Sequence, residues 1–300
     1  MQQKQLIWLG GSLVALLALA FASGTFGREI STVDVPALSI SSEQIEHFEI
    51  VTSDSSIFTL EKQNGIWHIT SPIQDVADSL TVERFTQNLD DIRLESVVST
   101  NVKKYDSYGV GENSKHVNIA WGRNKKTFHV GDSGPDFQSF YLRMGGDSRV
   151  FLSSGRLNLP ENLDTWRNKL VITLVPEIVN QIAVSTPATT YEVNRNGSVW
   201  KVVEDGDEST IESAKIMEWM DRFAPLEATA FINDMPAAEV KAEATHQIHF
   251  SMPGGGTQTI WIVDAENELA ATVSGKAATF RLSPALLDTF IPDPDDLTDD

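Results

Sequence analysis

No cysteine occurs anywhere in the 300 residues. That excludes a disulfide framework, a cysteine-ligated zinc or iron–sulfur site, a thiol nucleophile and c-type haem attachment. Basic residues are scarce as well: 23 Lys and Arg stand against 42 Asp and Glu, a formal charge of -19. A nucleic acid would be repelled before any local contact formed, which argues against bulk nucleic-acid binding. Length and a 41% hydrophobic content are those of an ordinary folded protein with one or two domains of about 100–200 residues each.

Reactive signatures are equally hard to find. Asp132-Ser133-Gly134-Pro135-Asp136 offers a serine between carboxylates but lacks the strand–Gly-x-Ser-x-Gly–helix setting of a hydrolase, and it reads as a hairpin loop. His246 and His249 are three apart, which in a strand puts them on opposite faces and prevents a shared metal. Asp205-Gly206-Asp207-Glu208 lacks the spaced ligands of a calcium loop and reads as an acidic approach to a helix N-terminus. Gly254-Gly255-Gly256 leads from strand to strand, so it is a hairpin and not a phosphate cradle. No catalytic residue, cofactor or metal ligand is assigned.

What is present starts at the N-terminus. Leu6–Phe21 is uncharged and apolar, and continuing the run to Gly27 gives a helix of roughly 33 Å, enough to span a bilayer core. Residues 1–27 therefore read as a membrane anchor. The small-x-small pattern Ala20-Phe21-Ala22 leaves a cleaved signal segment open. Either reading places the body outside the cytoplasm, and the anchor makes it a single-pass inner-membrane protein with its body in the periplasm or outside the cell. Residues 28–44 follow as a linker, and the acidic residues 292–300 as a disordered tail.

The remainder is written twice. A shift of 132 lays Asn64-Gly65 on Asn196-Gly197, Phe85 on Met217, Leu94-Glu95 on Leu226-Glu227 and Asp132 on Asp264, with Trp67 one place off Trp200. Residues 45–170 and 171–291 thus read as two tandem α+β modules of mainly antiparallel sheet with one packed helix each. In each, alternating strands and an Asn-Gly turn predict a hairpin. The first helix is expected to bury Leu80, Phe85, Leu89 and Ile92, capped by Asp78 or Ser79. The second is expected to bury Ile216, Met217, Met220, Phe223 and Ala224, opened by a Ser209–Glu212 capping box. Meander strands follow, and short helices near 157–163 and 284–290 close the modules.

Trp67, Trp121, Trp200 and Trp261 fall on strands at apolar phase, as core residues do. Trp67 and Trp200 are nonetheless candidates for stacking on a ligand. Trp166, Arg167 and Lys169, at the junction of the modules, are candidate interface residues.

The chain order of Gly65-Ile66-Trp67, Ala77-Asp78-Ser79, Tyr108-Gly109-Val110, Val130-Gly131, Phe140-Tyr-Leu-Arg143 and Val150-Phe-Leu152 resembles domain-of-unknown-function family 4340. The resemblance covers most of residues 45–290. It implies a bacterial protein with an N-terminal membrane segment, encoded beside ABC-type exporters and gliding-motility-type auxiliary proteins, with no established catalytic residues. The expected function is a non-enzymatic, membrane-anchored accessory subunit of an ABC-type transport complex, with the membrane (through residues 6–27) and transporter subunits as partners. The alternative is a glycan- or lipid-binding module using the groove between modules. An extracytoplasmic hydrolase would rest on the Asp132–Asp136 loop alone.

Overall fold

The computed structural model describes residues 38, 40–136, 138–265 and 268–298. The anchor expected over residues 1–27 lies outside them. Among the described residues no helix is long and apolar enough to cross a membrane.

Two large sheets of mainly antiparallel strands dominate. The first contains β1 (His47–Val51), β2 (Ile57–Gln63), β3 (Ile66–Ser71), β4 (Asp75–Val76), β5 (Arg93–Ser99), β6 (His116–Trp121), β7 (Asn124–Ser133), β8 (Ser139–Met144) and β9 (Val150–Ser154). After β10 (Leu170–Ile172), the second contains β11 (Gln181–Ser185), β12 (Thr190–Asn196), β13 (Val199–Glu204) and β14 (Asp207–Ile211). β15 (Leu226–Glu227) pairs with β10 outside either sheet. β16 (Ala230–Phe231), β17 (His246–Ser251), β18 (Thr257–Ala265), β19 (Glu268–Val273) and β20 (Phe280–Leu282) complete the second sheet. The spatial orders are β4-β3-β2-β1-β6-β7-β8-β9-β5 and β14-β13-β12-β11-β17-β18-β19-β20-β16, so the two sheets have one topology. β4 and β16 are two-residue strands, which keeps those sheet edges from offering a long row of unpaired backbone groups.

The two Asn-Gly turns differ by one residue. In the first hairpin Gln63 pairs with Ile66, and Asn64 (φ 51) and Gly65 (φ 85) make the expected type I′ turn. In the second Asn196 pairs with Val199, so the loop is Gly197-Ser198, with positive φ at Gly197 alone. That slip accounts for the single-place offset between Trp67 and Trp200. A Cβ at Gly65 would meet nothing within 4 Å, so only the backbone resists substitution there. Gly65→Ala is expected to lower stability by about 1 kcal/mol in urea denaturation, and Gly65→Asn to lower it less.

Asp205-Gly206 is a third turn of this kind, not an approach to a helix. Glu204 pairs with Asp207, φ is positive at both loop residues, and β14 follows. Ser209 consequently lies within a strand, and the expected capping box does not form: Glu212 precedes the helix without a side-chain cap bond. The first helix, α1 (Ser79–Asp91), is capped as expected, with the Asp78 carboxylate accepting from the Thr81 N–H at 2.7 Å. Val82, Phe85, Leu89 and Ile92 are its buried row, while Leu80 is 63% exposed.

In the second half, α2 (Ser213–Asp221) buries Ile216, Trp219 and Met220 in a core with Phe223, Phe250, Ile260, Ile262 and Phe280. The opposite face is covered by α3 (Ala237–Glu243), whose Val240 packs with Ile232 and Ala270 beside Trp261. The closing helix expected at 157–163 reduces to a 3-10 turn at Leu163–Thr165, whereas 284–290 is helical, with α4 at Leu287–Phe290.

The tail is the clearest correction. Through Thr298 it is packed, not disordered. α5 (Pro294–Leu297) buries Leu297 in the core, Thr298 bridges Ile211, and the Tyr191 hydroxyl donates to the Pro292 carbonyl at 2.7 Å. Leu297 is the apolar residue for which the acidic composition left no allowance. The end of the linker is held too: Ile40 is buried, and the Ser42 N–H donates to the Asp90 carboxylate at 3.0 Å.

By compactness the chain divides into two units that interleave in sequence. One holds the described residues up to Ile45 with Ile50–Ser56 and Phe85–Leu159, the other Glu46–Glu49, Ile57–Arg84 and Pro160 onward.

Candidate functional site

The segment after Pro160 lies in the second compact unit and is laid down as extended chain. Asn162 caps the 3-10 turn at Leu163–Thr165 by accepting from the Asp164 N–H at 2.9 Å. The backbone then pairs beside β4. The Asp78 N–H donates to the Trp166 carbonyl, the Asn168 N–H donates to the Val76 carbonyl, and Ala77 bridges Arg167. One step further on, Ala228 donates to the Lys169 carbonyl and β10 pairs with β15. Alternating sequence in such a strand sends neighbouring side chains to opposite sides.

Of the three expected interface residues, Trp166 and Arg167 are buried, at 0% and 5% exposure, and Lys169 is exposed. Trp166 packs on Phe48 with ring centroids 5.6 Å apart, and Phe48 in turn meets Trp67 at 5.1 Å. The Trp166 indole N–H donates to the Pro160 carbonyl at 3.0 Å. The structure thus gathers Trp67 and Trp166 around Phe48. Trp200 sits elsewhere, 3% exposed in the core of the second sheet. Trp121 and Trp261 occupy non-equivalent strands, β6 and β18.

Arg167 is the centre of this region. Its Nε donates to Asp75 Oδ2 at 2.7 Å, and its Nη1 donates to Asn233 Oδ1 at 2.7 Å and to Asp164 Oδ1 at 3.1 Å. The guanidinium carbon lies 3.5 Å from the Phe231 ring centroid. A planar cation suits this combination of fork bonding and ring stacking in a way that lysine could not.

Two clefts adjoin the Asp75–Arg167 pair. The larger, about 430 Å³, is lined by Asp78, Asp164, Arg167, Lys169 and Glu227 among others. The smaller, about 280 Å³, is lined by His68, Asp75, Asn168 and Lys276 among others. Lys276 donates to the Leu170 carbonyl, and burial pulls its amine below the ordinary lysine value, with the Asp75 charge partly offsetting that. In both clefts, then, a lining cation, buried Arg167 or half-buried Lys276, already has an acceptor within the protein.

The remaining candidates stay apart. His246 and His249 extend from opposite faces of β17, and His249 Nδ1 bonds the Thr259 hydroxyl at 2.8 Å. The Asp132–Asp136 loop closes the β7–β8 hairpin. The Gly134 N–H donates to the Ser139 carbonyl, and hydrogen bonds from Ser139 and the Gln138 backbone hold the Asp136 carboxyl below its usual value. Among the described residues no three His, Asp or Glu side chains gather to hold a metal.

No curated protein matches the chain. A family profile does: the one described as Domain of unknown function (DUF4340) matches residues 67–247, from the Trp67 hairpin to β17. That match spans more than half of the chain, and the protein belongs to this family.

Proposed function

We propose that this protein is a non-enzymatic docking subunit, tethered to the inner membrane by residues 6–27, whose body lies outside the cytoplasm and engages an ABC-type transport complex. One observation carries the reading: Arg167, the buried cation that lines the larger of the two clefts, is spent on partners within the protein. A group that serves a substrate keeps its charge or hydrogen-bonding capacity available for it. Arg167 instead donates to Asp75, Asp164 and Asn233 and stacks on Phe231.

The matching strand order of the two sheets supports the same conclusion. It favours reading residues 45–170 and 171–291 as tandem copies of one scaffold, each with its own outer surface for a partner. The transporter as partner rests on the family resemblance, and the tether on the apolar run at Leu6–Gly27.

Purification from native membranes in mild detergent tests this reading. Co-purification of transporter permease or ATPase subunits at constant stoichiometry is the expected result. A clean monomer at native expression level would overturn it.

A further inference from the structure

The first sheet carries a polar row that the docking role does not use. Register places His116 on β6 opposite His129 on β7, and His129 opposite Arg143 on β8. The two imidazole centroids are 4.8 Å apart. Ser114 orients both rings. Its carbonyl oxygen lies 2.9 Å from His116 Nδ1, and a carbonyl only accepts, so His116 carries its proton on Nδ1. The Ser114 hydroxyl donates to the Gly111 carbonyl at 2.7 Å and lies 3.1 Å from His129 Nδ1. Having used its proton, that hydroxyl accepts from His129, which is therefore also the Nδ1–H tautomer. Both Nε2 atoms are left as lone pairs on the far side of the rings from Ser114.

Arg143 closes the row. It is 9% exposed, its Nε donates to the Val110 carbonyl at 2.9 Å, and its guanidinium lies 4.6 Å over the Tyr105 ring. Among the described residues no carboxylate lies within ion-pair distance of it, and no acceptor meets its Nη groups. Its Nη groups reach solvent from an otherwise buried side chain, a fixed charge with no counter-charge beside it. The fold does not demand it. The core pair Val117–Phe128 corresponds to Ile248–Ile260, which makes Gln247, Trp261 and Thr272 the equivalent row of the second sheet, with no charge in it.

We propose that Arg143, His129 and His116 form a binding site for the phosphate group of a phosphomonoester. Arg143 supplies the fixed charge, and His129, beside His116, takes up a proton at Nε2 and donates to a phosphate oxygen. The groups that face His129 are His116 from β6, Arg143 from β8 and Ser114 from the segment before β6, with Tyr105 under the Arg143 guanidinium. Without an anion, burial first, then Arg143 and His116, hold His129 down to about 4. A bound dianion opposes the two charge effects, so binding favours a proton on His129 and tightens as pH falls, by at most about tenfold per pH unit.

Titrating histidine-labelled full-length protein with sodium sulfate at constant ionic strength tests the site, because sulfate stays a dianion throughout. Saturable shifts of the His116 and His129 imidazole signals are expected, with Kd lower at pH 6 than at pH 7 by up to about tenfold. Arg143→Gln should weaken binding at least about tenfold. The double variant His116→Gln/His129→Gln should still bind but lose the pH dependence, and it decides the matter if Arg143→Gln fails to fold. Glycerol phosphate and dihexanoyl phosphatidate then compete with sulfate. Equal displacement marks a free phosphomonoester, and tighter displacement by the lipid marks a headgroup. Absence of a saturable shift at pH 6, an unchanged Kd in Arg143→Gln, or pH dependence that survives in the double variant would overturn the proposal.

Discussion

Arg167→Gln is expected to lower folding stability by about 3–5 kcal/mol, measured as a fall in the urea midpoint with little change in slope. The size follows from what is left behind. Asp75, with its side chain 17% exposed, would keep its charge and lose the guanidinium 2.7 Å away. A carboxylate stranded in that setting costs far more than the pair itself contributes, because desolvation is no longer offset. The Phe231 face would also lose a cation stacked 3.5 Å from its centroid. Two controls separate these effects. Asp164→Asn removes the more exposed, i,i+3 partner, 29% exposed, and should cost at most about 1 kcal/mol. Arg167→Lys keeps the charge but loses the fork, and should fall between the two. A loss under 1 kcal/mol for Arg167→Gln would mean that the region relaxes around the change, and would reopen the larger cleft as a site with a free cation.

Arg167 also shows how far sequence reasoning reached. Trp166, Arg167 and Lys169 stand out as a junction because the stretch is too apolar for a linker, and there the structure places the network of Arg167 with Asp75, Asp164 and Asn233. The burial of Trp166 and Arg167 was not legible. It depends on the backbone pairing of this segment beside β4 and with the chain after β15, contacts between residues about 60 to 90 positions apart. Local turn chemistry was readable where a dipeptide fixes the backbone, as at Asn64-Gly65. The same chemistry at Asp205-Gly206 was masked by the acidic residues around it, although Asp-Gly is an equally strong hairpin signal. Leu80 lies five positions before Phe85 and nine before Leu89, off the helical period, so it faces solvent and Val82 heads the buried row. The His116–His129–Arg143 row was invisible for another reason. Its members are 13 and 14 positions apart, and only the register set by the Gly122-Arg123 turn and the β7–β8 pairing brings them together. Placing that turn first would have exposed the His pair.

Ending the chain after Ile291 is expected to lower stability by about 3–5 kcal/mol, although every residue removed belongs to an acidic, polar-looking tail. Burial of Leu297, 4% exposed, accounts for about 2 kcal/mol of this. The second part comes from Tyr191. Its ring is 1% exposed and its hydroxyl donates to the Pro292 carbonyl, so truncation orphans a buried donor at about 1–3 kcal/mol. Burial first, then the Asp293 and Glu204 carboxylates, push the pKa of that phenol upward, so the hydroxyl stays protonated and cannot escape by ionising. The Lys215 ammonium also loses the Thr298 carbonyl, 2.7 Å away. Tyr191→Phe distinguishes these contributions by a change of sign. In the full-length chain it removes a satisfied hydrogen bond and should cost about 1 kcal/mol. In the truncated chain it removes an unsatisfied hydroxyl and should restore part of what truncation cost, a coupling that two independent effects would not produce. Equal effects of Tyr191→Phe in both backgrounds would show that the tail acts through Leu297 alone. A truncation that changes the urea midpoint by less than the equivalent of 1 kcal/mol would show that the tail does not hold the second sheet at all.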